Sequence, residues 1–71
     1  MEYLRVSFDP NDIRDVIANG NVIGRTQTEL TLPPNYYVIS LSGGGYAPSH
    51  WYGLVTGTSP RRPLHITFTQ A

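Results

Sequence analysis

The sequence predicts an all-β fold: a small single-domain antiparallel β-sandwich of about six short strands that spans residues 1–71. Apolar and polar residues alternate in several segments, and turn-forming residues separate these segments at spacings of roughly 8 to 12 residues. The length points the same way, because 71 residues lie near the lower limit for a domain that folds on its core alone. Stability must therefore come from strands packed face to face.

Four segments show the period-two pattern of half-buried strands. Their alternating apolar residues are, in chain order, Leu4, Val6 and Phe8, then Leu30 and Leu32, then Tyr37, Ile39 and Leu41, and finally Leu64, Ile66 and Phe68. Turn-forming residues end the first three segments at 9–12, 33–35 and 43–45. Four of these apolar side chains are expected to be buried in the core: Leu32, Ile39, Ile66 and Phe68.

Two further strands are predicted from turn signals and β-forming residues. Residues 15–18 lead into Asn19-Gly20, a dipeptide typical of a two-residue hairpin turn because both residues tolerate positive φ. The chain would then return through Val22-Ile23. Residues 51–56 are rich in aromatic and β-branched side chains and end at the turn over 57–60.

Residues 10–19 also allow a different interpretation. Pro10 could occupy the first position of a helix capped by Asp9, and Ile13, Val16 and Ile17 have helical spacing. An α+β fold with a short helix at 10–19 is therefore an alternative. The β-branched residues and the all-β context favour a strand.

Composition excludes several classes of function. Five acidic residues balance five basic ones, and the basic residues cluster only at Arg61-Arg62, so the sequence disfavours nucleic acid as a partner. With no cysteine and two histidines, we predict no disulfide, no metal site and no cofactor. No apolar run approaches the length of about 20 residues that a transmembrane segment needs.

Localisation stays open at this stage. The first residues lack the charged and apolar regions of a signal peptide. A native Met1 therefore predicts a cytoplasmic protein, whereas an excised module would be compatible with an extracytoplasmic one.

The order of the motifs resembles that of the PEGA family, whose pattern runs from a first strand through "V-x-V-D-G", "G-x-T-P" and "L-x-L-P-x-G-x-Y-x-V-x-L" to "G-Y". The similar segments lie between residues 4 and 68 and are Val16-Ile17-Ala18-Asn19-Gly20, Val22–Thr26, Leu30–Leu41 and Tyr46-Ala47-Pro48. Asn19, Gln27 and Asn35 depart from the family's Asp, Pro and Gly. Asparagine tolerates positive φ, so two of these changes keep the turns feasible.

The resemblance implies a small β-sandwich with a strand at 14–18 and no catalytic site. Members of the family are surface-associated or accessory modules of prokaryotes. The resemblance therefore implies an interaction role.

Candidate chemistry is sparse. Ser49-His50 and the acidic residues near Asp12 supply the residue types of a hydrolytic triad, but neighbours in a strand face opposite sides, so we expect no hydrogen bond between Ser49 and His50. The acidic residues lack the glycine and closing glutamate of a calcium loop. The Gly43–Gly45 run lacks the helix and lysine of a phosphate loop. The sequence thus predicts no enzyme, with a small hydrolase as an alternative.

Aromatic residues around the glycine-rich loop suggest a recognition surface. Trp and Tyr are enriched at interface hot spots, so the candidate partner or ligand surface comprises Tyr46, His50, Trp51 and Tyr52. Trp51 and Tyr52 are adjacent, and we expect one in the core and the other exposed.

The last strand is the candidate for self-association through a sheet edge. Its predicted outward residues are His65, Thr67 and Thr69, an uncharged row suited to pairing with another strand. The sequence thus predicts a non-enzymatic interaction or structural module that binds a protein or glycan, or associates into a homo-oligomer. A self-assembling structural protein is a further alternative.

Overall fold

The structure, a computed structural model, describes residues 1–9 and 12–71. Within these residues it contains strands and turns but no helix. The strands are β1 (Glu2–Asp9), β2 (Asp15–Ala18), β3 (Asn21–Arg25), β4 (Glu29–Leu32), β5 (Asn35–Leu41), β6 (Tyr46–Ala47), β7 (Trp51–Val55) and β8 (Leu64–Gln70). They exceed the predicted number because the returning hairpin strand β3 and the two-residue β6 count separately.

The strands form two sheets of four, which confirms the predicted small β-sandwich. The first sheet has the order β4-β1-β8-β6, and the second sheet has the order β3-β2-β5-β7. All strand pairs are antiparallel except β1 and β8, the first and last strands, which pair in parallel. The sandwich is therefore antiparallel apart from one central pair.

The core lies between the two sheets and is built from alternate residues of β1, β2, β4, β5 and β8, together with Val55 of β7. The first sheet contributes Leu4, Val6, Phe8, Leu30, Leu32, Ile66 and Phe68, and the second contributes Val16, Ala18, Tyr37, Ile39, Leu41 and Val55. The predicted burial of Leu32, Ile39, Ile66 and Phe68 is confirmed. Period-two alternation thus located the inner face of both sheets.

The helical alternative at 10–19 is wrong over the described part of that segment. Residues 12–14 have no regular structure and 15–18 form β2, which pairs with both β3 and β5. The Asn19-Gly20 turn has φ values of 49° and 86°, as a type I′ hairpin requires. The hairpin and the ladder to β5 override the local helical spacing. Pro10 and Asn11 lie outside the described residues.

Thr26 and Gln27 carry the chain from the second sheet to the first. The buried Thr26 hydroxyl donates to the Asp12 carbonyl (2.8 Å) and accepts from the Arg14 N–H (3.0 Å). Gln27 has a φ of 66° and donates its backbone N–H to the Val6 carbonyl (2.8 Å). Proline could do neither. Asn35, by contrast, begins β5 without a positive φ.

The described residues include no helix that is long and apolar enough to cross a membrane.

Candidate interaction surfaces

The solvent side of the second sheet is apolar. Cross-strand pairing places Ile17 opposite Val22, Val38 opposite Tyr52, and Tyr36 opposite Leu54. We call this surface the outer apolar face and define it by Ile17, Val22, Tyr36, Val38, Tyr52 and Leu54. Tyr52 and Val22 are the most exposed of these, each at 63 %. The largest apolar patch of a monomeric protein is often functional, which makes this face the candidate interaction site.

Two tyrosines form the aromatic centre of this face. The rings of Tyr36 and Tyr52 stack with centroids 6.0 Å apart and an interplanar angle of 19°. They lie on adjacent strands at diagonal positions, within the reach of aromatic side chains. Each presents a rigid apolar ring and a hydroxyl, the combination that is enriched at interface hot spots.

The outer apolar face carries almost no charge. In the strands of the second sheet, the only Asp, Glu, Lys, Arg or His residues are Asp15 and Arg25. Their Oδ1 and Nε atoms lie 3.5 Å apart at one end of the β2–β3 hairpin. The two charges offset each other, so the face is neutral.

The structure separates the four residues that were predicted to form a partner surface. Tyr46 is half-buried, and its ring packs edge-on against Phe68 at 5.4 Å. Its hydroxyl donates to the carbonyl of Leu41 (2.9 Å) and accepts from the N–H of Leu41 (3.1 Å). Tyr46 therefore closes one end of the core.

Trp51 and Tyr52 face opposite sides of β7, as predicted. Trp51 is half-buried and packs against the core, whereas Tyr52 lies on the outer apolar face. Gly53 makes room for the indole, because a Cβ at that position would lie 2.9 Å from Trp51 Cη2. Of the predicted surface residues, Tyr52 alone belongs to the outer apolar face.

The expectation for Ser49 and His50 is wrong. These residues lie in the loop before β7 rather than in a strand, and Ser49 Oγ lies 3.2 Å from His50 Nδ1, within hydrogen-bond distance. Both residues are exposed. No described carboxylate hydrogen-bonds to His50, so the pair lacks the third group that orients the base in a triad.

Only part of β8, the strand predicted to form an edge contact, lies at a sheet edge. β8 lies between β1 and β6, and Thr69 pairs with Ala47 of β6. Because β6 ends there, no described strand pairs with that side of 64–68. Ala71 donates its N–H to the Gly45 carbonyl on this side (3.0 Å). Residues of the same parity, including His65 and Thr67, therefore direct their backbone groups to the open edge.

Arg14 anchors the glycine-rich loop that follows β5. Its Nη1 donates to the carbonyls of Ser42 (3.2 Å) and Gly44 (2.6 Å), and its guanidinium lies 4.6 Å from the centroid of Phe8. Its Nε also lies 3.4 Å from Asp12 Oδ2. The loop carbonyls thus accept hydrogen bonds that hold the loop against the rest of the domain.

Acidic residues do not converge. Among the described residues, no three His, Asp or Glu side chains lie where they could hold a metal ion.

The first sheet is held to the loop before β8 by a carboxylate. Glu2 Oε1 accepts hydrogen bonds from the Thr58 backbone N–H (2.8 Å) and from the Thr58 hydroxyl (2.7 Å). The hydroxyl in turn accepts from the Tyr3 N–H (2.7 Å). These bonds, the backbone one foremost, hold the pKa of the Glu2 carboxyl below its ordinary value of 4.5.

Sequence reasoning missed most of the outer apolar face, although a signal was present. In β5, apolar residues occupy both parities, since Tyr36 and Val38 alternate with Tyr37 and Ile39. β7 shows the same property with Tyr52 and Leu54. Strands that are apolar on both sides are typical of sheets covered on both faces.

Comparisons of the chain with protein-family models, with curated proteins and with solved structures find no match.

Proposed function

We propose that this chain is a non-enzymatic interaction module that binds a protein partner through the outer apolar face. The observation that carries the proposal is the exposure of Val22, Tyr36, Val38, Tyr52 and Leu54 on one side of the second sheet. Burying apolar surface drives most protein–protein association. The central tyrosines and the scarcity of charge match the composition of interface cores.

A protein fits this face better than a glycan does. Sugar recognition needs polar groups placed beside an aromatic ring, and the side chains around Tyr36 and Tyr52 are mainly aliphatic. Val38 and Leu54 offer no hydrogen bonds, but they match aliphatic side chains of a protein.

A second candidate function is self-association through the open edge of β8. Residues 64–68 are unpaired on one side in the described structure. Their outward residues His65 and Thr67 are neither lysine nor proline, the residue types that usually block the addition of another strand. A second strand could add there by main-chain hydrogen bonds. This edge belongs to the first sheet and is distinct from the outer apolar face.

Catalysis is not part of the proposal. Ser49 and His50 are exposed in a loop, where water competes for every charge that develops in a reaction. We expect the His50→Ala variant to match the parent in an esterase assay with activated esters. Esterase activity that is lost in this variant would contradict a non-enzymatic role.

Selection from a library of short random peptides displayed on phage tests the proposal. The variant Leu54→Arg places a charge on the outer apolar face, and the matched control Thr67→Arg places the same charge on the outer side of the first sheet. Peptides selected on the parent should lose at least tenfold in affinity for Leu54→Arg and keep their affinity for Thr67→Arg.

The opposite results would refute the proposal. Peptides that bind Leu54→Arg as well as they bind the parent, or a library that yields no binder, would exclude this face as a peptide-binding surface. Binding on a glycan array that Tyr52→Ala abolishes would show a sugar-binding face instead.

A further inference from the structure

We infer that the occupant of the outer apolar face is a second copy of this chain, docked face to face about a twofold axis. The inference rests on the proposed function, because it names the partner of the same face. Four features of the molecule support it: the sequences of β5 and β7, the shape of the face, its charge and its area.

The sequences of β5 and β7 are typical of strands in a sheet that is covered on both sides. β5 and β7 form the side of the second sheet where the tyrosines lie, and each carries apolar residues on both faces. Their inner residues pack on the first sheet. Covering the other side with an identical sheet gives β5 and β7 the two-sided environment that such sequences are typical of.

The shape of the face suits another sheet. The unbroken pairing of β5 with β7 carries the tyrosines at the centre of the face, whereas the β2–β3 pair has a register irregularity between Val16 and Ile17. Sheets pack on one another at about 10 Å with their strands about 30° apart, through interdigitating side chains. The side chains of Val38 and Leu54 flank the stacked tyrosines, so they could interdigitate with the side chains of a second sheet.

The charge of the face favours a neutral partner. Asp15 and Arg25 pair with each other at its rim, so the face attracts neither a basic nor an acidic protein. A second copy meets this requirement, since its own face is equally neutral. A twofold axis also makes the contact closed and self-complementary, as in most homodimers.

The area of the face sets the strength of the dimer. With about 200 Å² for a whole tyrosine, exposures of 54 % and 63 % leave about 230 Å² of Tyr36 and Tyr52 accessible. The aliphatic side chains add on the order of 150 Å². Two copies would thus bury about 800 Å² of this surface, which is below the roughly 1,200 to 2,000 Å² of stable complexes and typical of weak, transient contacts. We therefore expect a weak, reversible dimer that dissociates on dilution from millimolar to micromolar concentration.

Sedimentation equilibrium of the whole chain between micromolar and millimolar concentration tests the dimer. The average mass of the parent should rise from 7.9 kDa toward twice that value. Leu54→Arg should stay at the monomer mass, and Thr67→Arg should associate as the parent does. Circular dichroism checks that both variants are folded.

A cross-linking experiment locates the contact independently. The described chain has no cysteine, so Val38→Cys introduces a single thiol near the middle of the face. Packed sheets lie about 10 Å apart, beyond direct disulfide reach, so a short bis-maleimide is the probe. Val38→Cys should yield a covalent dimer at high concentration, and the matched Thr67→Cys should not.

Three results would overturn the inference. The first is a parent that remains a monomer at millimolar concentration. The second is association that Thr67→Arg abolishes and Leu54→Arg leaves intact, which would place the contact at the edge of β8. The third is cross-linking through Thr67→Cys alone. A monomeric parent whose selected peptides still depend on Leu54 would refute the dimer and leave the proposed function standing.

Discussion

The outer sides of the two sheets are built from strands of similar length but differ in the polarity of their side chains. On the first sheet, the outward residues of the central strands β1 and β8 are mostly polar, and Arg5 lies between Glu29 and His65. On the second sheet, the outward residues of β5 and of its edge neighbour β7 include Tyr36, Val38, Tyr52 and Leu54.

The two surfaces therefore differ in the free energy of their exposure to water. The first sheet's outer side is satisfied by solvent and by local bonds, such as Arg5 Nη2 to the Gln27 carbonyl (2.9 Å). The outer apolar face gains about 25 cal/mol for each Å² that a partner removes from water. The outer side of the first sheet is mostly polar, whereas the outer side of the second sheet exposes apolar side chains to water.

The largest expected effect separates the two sides of a single strand. Ile39 is fully buried and Val38 is 40 % exposed, although they are adjacent in β5. Ile39→Ala should lower the free energy of unfolding by about 2 to 5 kcal/mol, because it removes core contacts and leaves a cavity. Val38→Ala should change it by less than about 0.5 kcal/mol in the monomer. Urea denaturation at micromolar concentration measures both.

The first sheet supplies the matching pair. Ile66 is buried and Thr67 is exposed on its outer side. Ile66→Ala should destabilise by about 2 to 5 kcal/mol and Thr67→Ala by less than about 0.5 kcal/mol. If Val38→Ala were as damaging as Ile39→Ala in dilute solution, the outer apolar face would already be covered within the monomer.

The next effect concerns the crossover between the sheets. Thr26→Val removes the hydroxyl that bonds to the Asp12 carbonyl and the Arg14 N–H. An unpaired buried polar group costs about 1 to 3 kcal/mol, so thermal unfolding should show a loss of this size. Thr26→Ser keeps the hydroxyl and should recover most of the stability. Equal stability of the Val and Ser variants would mean that water replaces the hydroxyl.

Prediction from sequence succeeded where one face of a strand is polar. In β8, His65 and Thr67 alternate with Ile66 and Phe68, so the period of two fixes which side is buried. The Asn19-Gly20 hairpin followed from local turn chemistry in the same way. The parallel pairing of β1 with β8 could not be predicted, because sheet order depends on contacts between the two ends of the chain.

The candidate surface was harder to predict, for a related reason. The aromatic residues around the glycine-rich loop are close in sequence and therefore suggested one surface, but the ring of Tyr46 packs against Phe68 in the core. The outer apolar face joins Ile17, Tyr36 and Tyr52, which only the strand order brings together. The hydrogen bond between Ser49 and His50 was missed because both were assigned to a strand.

The smallest expected effect is a local response to pH at the polar end of the first sheet. Because bonding to Thr58 holds the pKa of Glu2 below 4.5, the contact is complete above that pH and is lost as the pH falls through the lowered value. The hydrogen-exchange protection of the Thr58 amide, corrected for intrinsic rates, should therefore be high at neutral pH and fall under acid conditions. The amide of Ile39 in the core serves as the internal reference.

Glu2→Gln separates charge from hydrogen bonding at this contact. The amide oxygen can still accept from the Thr58 N–H, but a neutral acceptor bonds more weakly than a carboxylate. Protection of Thr58 in this variant should be lower than in the parent at neutral pH and should not change with acid. A parent in which Thr58 stays protected in acid while Glu2 titrates normally would show that the carboxylate does not hold the loop. The outer apolar face has its only carboxylate at the rim, in Asp15, so its association should respond less to the same change of pH.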